Sequence, residues 1–453
     1  MKNLLSNKKI SGAIFGLAFG IILCLVLPIY FEWVKISGYE IPQDDLVGDY
    51  FVGFLWACVL GISILIWPVS KSDKTGLLWI WLAKVFITLG ILLIYEWIYP
   101  DDQWSYFSIP AKLGYEPFGY FLEKGGDIAA TAGTRRLDHI VWWHNHIFPS
   151  GSYHALKVSF SMVGLIAIYI FYRAGMLFME KKGNPAFFYV LALTPTDLVW
   201  SSTLGKEPIV LFGIALYVYG VVAWQKKGQA FALIFSVAGI LIAASIRFWL
   251  APILVLPLAA FLIVGKVNFF TKLIFIGLTI YISATSLATI QSRYKLTSIQ
   301  SHINQLSEIS QNGSTGGSAQ KIKPFNSIID VLTFFPLGFF TALFRPLPGD
   351  LFSPFGLLAS FEGLFFLWLF LRAFKRSSLR DIKNPLIFWG VLVILSWTSI
   401  YAFVAYQNLG TAMRWRLQIL PLFLGLLLYL GRNRTKTMST PITKHDITPS
   451  QTK

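Results

Sequence analysis

The chain is short of cysteine, of charge and of acid. Its two cysteines, Cys24 and Cys58, sit inside apolar runs without the partner spacing of a metal knuckle or a redox motif. That excludes a disulfide framework and reads both as core thiols. Only 13% of the residues are charged, against the roughly 25% usual in soluble domains. Acids number 22 against 38 Lys and Arg, for a net charge of +16. An excess of base raises the question of nucleic acid, but these cations fall in short clusters between apolar runs, where positive-inside orientation accounts for them. The placement argues against a nucleic-acid partner.

In place of charge stands hydrophobic sequence, 55% of the chain, with 16% aromatics and a mean hydropathy of +0.62. This composition predicts an all-α polytopic membrane protein. The run at 10–34 follows Lys2, Lys8 and Lys9. It is too long for a signal-peptide core and lacks a small-residue cleavage site, so it reads as a retained first span. Further runs at 50–68, 76–98, 156–179, 186–200, 208–224, 230–246, 249–264, 270–290, 355–374, 385–406 and 417–430 give about twelve transmembrane helices.

Basic loops at Lys71 and Lys74, Lys181 and Lys182, Lys226 and Lys227, Lys266 and Lys272, 372–383 and 432–453 alternate onto one side. That side is the cytoplasm, with both termini on it, and the setting is a bacterial inner membrane. Parity then needs 326–344 to enter and leave on one face, as a re-entrant or interfacial segment broken near Pro336 and Gly338. The predicted organisation is a two-span extension at 1–75, a membrane core at 76–290 with a large outer loop at 99–155, a flexible outer loop at 291–325, C-terminal helices at 326–431 and a disordered tail at 432–453. The polar tract from Gln311 to Ser318 reads as linker.

Several charges stand at the wrong end of their spans. Lys206-Glu207, Arg247, Arg345 and the pair Arg414 and Arg416 all fall at predicted outer boundaries, in four separate parts of the chain. Each cation taken alone is consistent with snorkelling to headgroups, or with local pairing such as Lys206 with Glu207. Recurrence at one face calls for an anionic partner, and a guanidinium fork matches phosphate oxygens with two parallel hydrogen bonds. A phosphate or pyrophosphate carried on a lipid fits. Glu362, an acid inside a span, is a further functional candidate.

The acidic pair Asp101-Asp102 closes the span at 76–98 and is followed by Gln103-Trp104-Ser105-Tyr106 and then Ala111-Lys112-Leu113. This stretch resembles the first outer loop of the GT-C glycosyltransferases, which include the protein O-mannosyltransferases and the aminoarabinose transferases of lipid A. The order downstream is also similar: Phe148-Pro149-Ser150-Gly151-Ser152-Tyr153, then Ala192-Leu193-Thr194-Pro195, Trp200-Ser201-Ser202-Thr203 with Lys206-Glu207, Arg247, and Arg414-Trp415-Arg416. The resemblance covers about residues 76–430 and its motifs are short. It implies an enzyme that takes a sugar from a polyprenyl-phosphate donor and transfers it at the outer face to a glycan, lipid or protein acceptor, with one loop acid catalytic. Two spans precede the acidic loop, so Asp44-Asp45 competes for that role, and no large soluble domain follows the last span.

Such transfer needs a base beside the acceptor hydroxyl and positive charge on the departing phosphate. Asp101 or Asp102 supplies the first, with Asp101 preferred, and Lys206, Glu207, Arg247, Arg345, Arg414 and Arg416 form the substrate-binding set. The same acidic pair also suits the start of the helix at Trp104 as a plain cap. No cofactor is expected. A divalent ion held by His144, His146 and an aspartate, on an extended segment, lacks a second pair of ligands. The competing readings are a polysaccharide polymerase or ligase using polyprenyl-pyrophosphate glycans, and a flippase of lipid-linked sugars, for which no internal repeat is visible.

Overall fold

The computed structural model describes residues 29–37, 41, 43–98, 102–112, 116–123, 133–147, 149, 151–264, 298–312 and 317–433, together with isolated positions between 269 and 285. Asp101, Cys24, the tail from 434 and most of the runs at 10–34 and 270–290 lie outside them. Among the described residues the protein is all-helical, and the one pairing of extended backbone is an antiparallel bridge between Ala319 and Asn408.

In chain order the helices are α1 (Leu46–Ser63), α2 (Lys71–Phe86), α3 (Leu92–Ile98), α4 (Gln103–Lys112), α5 (Pro117–Glu123), α6 (Thr134–Ile147), α7 (Tyr153–Phe178), α8 (Pro185–Leu193) and α9 (Pro195–Trp200). There follow α10 (Lys206–Lys227), α11 (Leu233–Ile246), α12 (Leu250–Val264), α13 (Ile299–Asn312), α14 (Ile328–Phe344), α15 (Pro354–Arg376), α16 (Pro385–Ala405), α17 (Leu409–Arg416) and α18 (Leu420–Leu430). Six stretches are long and apolar enough to cross a membrane: Leu46–Ile66, Lys71–Trp97, Tyr153–Phe178, Lys206–Lys227, Pro354–Arg376 and Pro385–Ala405. A seventh is made if α17 and α18, bent by 73°, count as one. This is the architecture of a multi-pass membrane protein.

Helix α10 is the axis of the bundle, buried along most of its length against α7 and α11. Its contact with α11 is backbone to backbone. A Cβ on Gly213 would stand 2.8 Å from the Gly239 carbonyl oxygen, and one on Gly239 would meet Tyr217 N at 2.5 Å. Small residues let membrane helices approach this closely, where van der Waals contact does the work that the hydrophobic effect does in water. Gly239→Val is therefore expected to wedge α11 off α10 and lower stability by about 1–3 kcal/mol, read as a fall in the melting temperature of the purified protein.

Four expectations are corrected. The segment at 326–344 does not break at Pro336 or Gly338: α14 runs through both, its start fixed by a reciprocal Ser327–Asp330 cap and its Gly338 set against the Ala402 backbone. The loop at 291–325 is not uniformly flexible, because α13 places Ile303, Leu306 and Ile309 on one helical stripe. After it, Leu409 N donates to Ser318 O at 3.1 Å and Gln320 N to Gln407 O at 2.9 Å, strapping 318–320 across the start of α17. The histidines 144 and 146 lie on helix α6, not on an extended segment, so they face apart. Cys58 is exposed on the outward side of α1, whose inner stripe is Tyr50, Gly53, Ala57 and Gly61.

Candidate functional site

Three local devices build the site. The run at 186–200 divides at Thr194-Pro195, because Pro195 has no N–H to continue α8 and instead opens α9. Beyond α9 the backbone unwinds through Ser201-Ser202-Thr203-Leu204-Gly205, all five residues buried. Irregular backbone inside a membrane bundle has to be satisfied by protein, and here it is. Lys84 donates to Ser201 O at 2.9 Å, Thr88 Oγ1 to Ser202 O at 3.1 Å, and Leu204 N to the Gln103 side-chain oxygen at 3.1 Å. Gly164 of α7 admits Ser201, since a Cβ there would stand 3.0 Å from the Ser201 Cβ and closer still to its carbonyl. The unwound segment sets Lys206 and Glu207 in the first turn of α10, where the helix dipole favours the carboxylate.

Glu207 is the hub. Arg247, at the C-terminal cap of α11, donates from Nη2 to its Oε1 at 2.9 Å. Arg414, in the last turn of α17, places Nε 2.8 Å from Oε1 and donates from Nη2 to Oε2 at 3.0 Å. Side-chain exposure is 1% for Glu207, 8% for Arg247 and 21% for Arg414, so the carboxylate and Arg247 are closed off while Arg414 is partly exposed. Aromatic faces frame the cations: the Arg247 guanidinium carbon lies 5.9 Å and 5.8 Å from the Trp249 and Trp415 ring centroids, and that of Arg414 lies 5.7 Å from Trp200. Arg247 Nε is buried and has no hydrogen-bond partner among the described residues. A buried donor of this kind calls for an acceptor.

Glu207 acts on its neighbour Lys206 electrostatically, but Lys206 places its hydrogen bond elsewhere. It donates to Thr134 Oγ1 of α6 at 2.7 Å and lies 5.8 Å from the Tyr106 ring. Asp102 and Asp138 both act on Lys206 electrostatically. Asp102 is exposed, and its carbonyl opens α4 by accepting from Tyr106 N at 3.1 Å. Asp138 is fully buried on α6, 3.3 Å from Arg135, with Oδ1 unbonded among the described residues. Burial raises the Asp138 carboxyl above the usual range in spite of Arg135. Asp138 thus joins the acids able to act as a base here, and only its position beside His139 marked it in the sequence.

The other two sequence-selected arginines have partners elsewhere. Arg345 forks onto Asp350, Nε to Oδ2 at 2.9 Å and Nη2 to Oδ1 at 2.6 Å, and these bonds hold the Asp350 carboxyl below its ordinary value. Arg416, fully buried, donates from Nε to Ala342 O at 3.1 Å and from Nη2 to Arg345 O. Residues two apart on α17 point in different directions, which is why Arg414 reaches Glu207 and Arg416 does not. Of the competing pair Asp44-Asp45, Asp45 caps α1 by accepting from Gly48 N at 2.9 Å, and the nearby Asp49 pairs with His154. His144 bonds Ser159 at 2.8 Å, and burial lowers its imidazole to about 4, while His146 turns outward and stacks on Trp142. Among the described residues no three His, Cys, Asp or Glu side chains form a group able to hold a metal.

Beneath the hub lies a second set of charges. Lys84, fully buried, donates also to Ser201 Oγ at 2.7 Å and Ser202 Oγ at 2.9 Å, and interacts electrostatically with Asp197. Neither carboxylate oxygen of buried Asp197 has a hydrogen-bond partner among the described residues. Glu362 accepts from Thr196 N at 2.8 Å and from the Thr196 hydroxyl, and faces Arg416. The signal for Lys84 and Asp197 was in the sequence, as charges within apolar runs. Compared with models of protein families, with curated proteins and with solved structures, the chain matches none.

Proposed function

We propose that the chain is a GT-C-like glycosyltransferase of the bacterial cytoplasmic membrane, moving a sugar from a polyprenyl-phosphate donor to an acceptor at the outer face in cell-envelope or exopolysaccharide assembly. The observation that carries this reading is the gathering of Arg247 and Arg414 on buried Glu207, beside Lys206. Two guanidiniums against the one carboxylate of Glu207 leave positive charge in excess, oriented without reorganisation and walled by tryptophan. That arrangement suits a phosphate whose charge grows as its sugar leaves. The reading takes α8–α9, α11 and α12 as further spans, about twelve in all with the runs at 10–34 and 270–290, and both termini in the cytoplasm.

In the proposed reaction Asp102 or Asp101 accepts the proton of the acceptor hydroxyl as its oxygen attacks the anomeric carbon. The bond from that carbon to the phosphate oxygen breaks, and the electron pair stays on a phosphate held by Arg247 and Arg414. Glu207 touches no reacting atom and acts by positioning the two guanidiniums. The test is release of polyprenyl phosphate from a panel of labelled polyprenyl-phosphate sugars by purified protein. Asp101→Asn, Asp102→Asn and Asp138→Asn are compared, and loss of the base is expected to reduce release by about 10²–10⁴-fold. Arg247→Ala is expected to abolish it, and release unchanged by all four substitutions sinks the proposal.

Two observations favour other readings enough to keep them in the same experiment. The exposure of Asp102 suits a polymerase or ligase of polyprenyl-pyrophosphate glycans, in which the arginine pair does more than the aspartates. The interior charges Lys84, Asp197, Glu362 and Arg416, with the breaks at Thr194 and after Arg416, suit a flippase of lipid-linked sugars. Translocation without release would identify the second, and release only from pyrophosphate-linked glycans the first.

A further inference from the structure

Helix α10 begins in the site at Lys206-Glu207 and ends at Lys226-Lys227, so the bundle has a second, basic end. There a cavity of about 400 Å³ opens between α7, α8, α10, α16 and α18, within the range of about 300–1,000 Å³ of small-molecule pockets. Its body is apolar, with Phe187 and Trp389 among its walls, and its polar residues are Lys181, Asn184 and Arg432. These three stand at chain positions that leave helices on the same side: Lys181 after α7, Asn184 before α8 and Arg432 after α18. The cavity lies beside α18 from Pro421 to Tyr429, about 12 Å along the helix axis. The contact with Val218 is about 16 Å along α10 from Glu207, so the two places are separate.

The geometry points to a binding site for one anionic phospholipid at the basic end, its phosphate between Lys181 and Arg432 and one hydrocarbon chain in the slot against Phe187 and Trp389. Charge complementarity decides the headgroup. Glu180, the carboxylate next to Lys181, is taken by Lys226 at 2.6 Å, and Arg432 spreads its guanidinium 3.6 Å over the Tyr429 ring with one nitrogen on the Tyr429 carbonyl. Glu180 is thereby engaged away from Lys181 and Arg432 is fixed, both cations line an otherwise apolar slot, and a phosphate ester on a hydrocarbon chain answers both halves. The inference stands apart from the proposed transfer reaction, since it uses neither the arginine pair nor an acid.

Gly425 offers the test of the slot. A Cβ there meets only the Phe187 ring, at an ordinary 3.7 Å, so a large side chain can enter the cavity without displacing backbone. The full chain is placed in nanodiscs of phosphatidylcholine with a minority of phosphatidylglycerol, released, and weighed by native mass spectrometry. One phosphatidylglycerol is expected to remain bound in preference to phosphatidylcholine. Gly425→Trp should abolish that retention, and Lys181→Glu and Arg432→Glu should each weaken it roughly fivefold or more. Equal retention of the two lipids, or retention of phosphatidylglycerol untouched by Gly425→Trp, overturns the site and leaves ordinary surface lipid. Should Gly425→Trp not purify as a monodisperse protein, the two charge variants decide: undiminished retention in both overturns it.

Discussion

Glu207→Gln is expected to cost about 3–5 kcal/mol of stability and to abolish release of polyprenyl phosphate. The carboxylate is 1% exposed and receives three contacts of 2.8–3.0 Å from two guanidiniums. An amide of the same shape keeps one acceptor and loses the charge, leaving Arg247 and Arg414 to face one another. Two like charges at this depth are screened by little water, and their repulsion adds to the desolvation already incurred. Glu207→Asp separates charge from reach: it restores the negative charge but withdraws it by one methylene, so stability should recover in part while release stays low. The measurements are thermal unfolding in detergent, and release assayed at a temperature where both variants remain folded. A Glu207→Gln protein that melts with wild type would mean that the arginines are compensated from elsewhere, and the hub would lose its standing.

The second large effect is expected one layer deeper. Lys84→Met removes the donor that holds Ser201 O and the hydroxyls of Ser201 and Ser202, and takes from Asp197 a cation that acts on it electrostatically while Glu362 still acts on it. Losing three buried hydrogen bonds from one charged donor is expected to cost about 3–5 kcal/mol. Asp197→Asn added on that background should recover part of the loss, because the charge left unpaired is then gone, with a coupling of about 0.5–3 kcal/mol in a double-mutant cycle. Simple additivity would show that the two groups do not share a charge. Because Lys84 pins the unwound segment that delivers Lys206 and Glu207, the single variant should also lower release when assayed below its melting point. Asp102→Asn, at an exposed position, should leave melting unchanged.

Helix content and membrane character were legible from apolar runs alone, since a helix is the simplest way to satisfy every backbone group in hydrocarbon. Legible too were Lys206, Glu207, Arg247, Arg345, Arg414 and Arg416 as charges to be explained, because a charge at the end of an apolar run has a cost that must be met somewhere. Their arrangement was not. Nothing in the spacing of Glu207 and Arg414, 207 residues apart, says that one holds the other, and the closest pairing in sequence, Lys206 with Glu207, is not the one formed. Arg345 and Arg416 look equivalent to Arg247 in a list of boundary cations, yet a local aspartate and two backbone carbonyls occupy them. The amphipathic stripe of α13 was present in the sequence but masked by the polar tract that follows it.

The sequence by itself determined that the chain is a helical membrane protein and which charges need explaining, because both follow from the free energy of moving groups out of water. Tertiary structure alone decided which charge meets which. It placed a carboxylate from α10 between arginines of α11 and α17, buried Asp138 fully on α6, and opened a slot lined by Lys181 and Arg432 at the far end of α10. Those outcomes depend on rotation and depth of helices set by backbone contacts such as Gly213 on Gly239 and Gly164 on Ser201. In helices apolar on all sides, the pattern of residues does not encode which face turns inward.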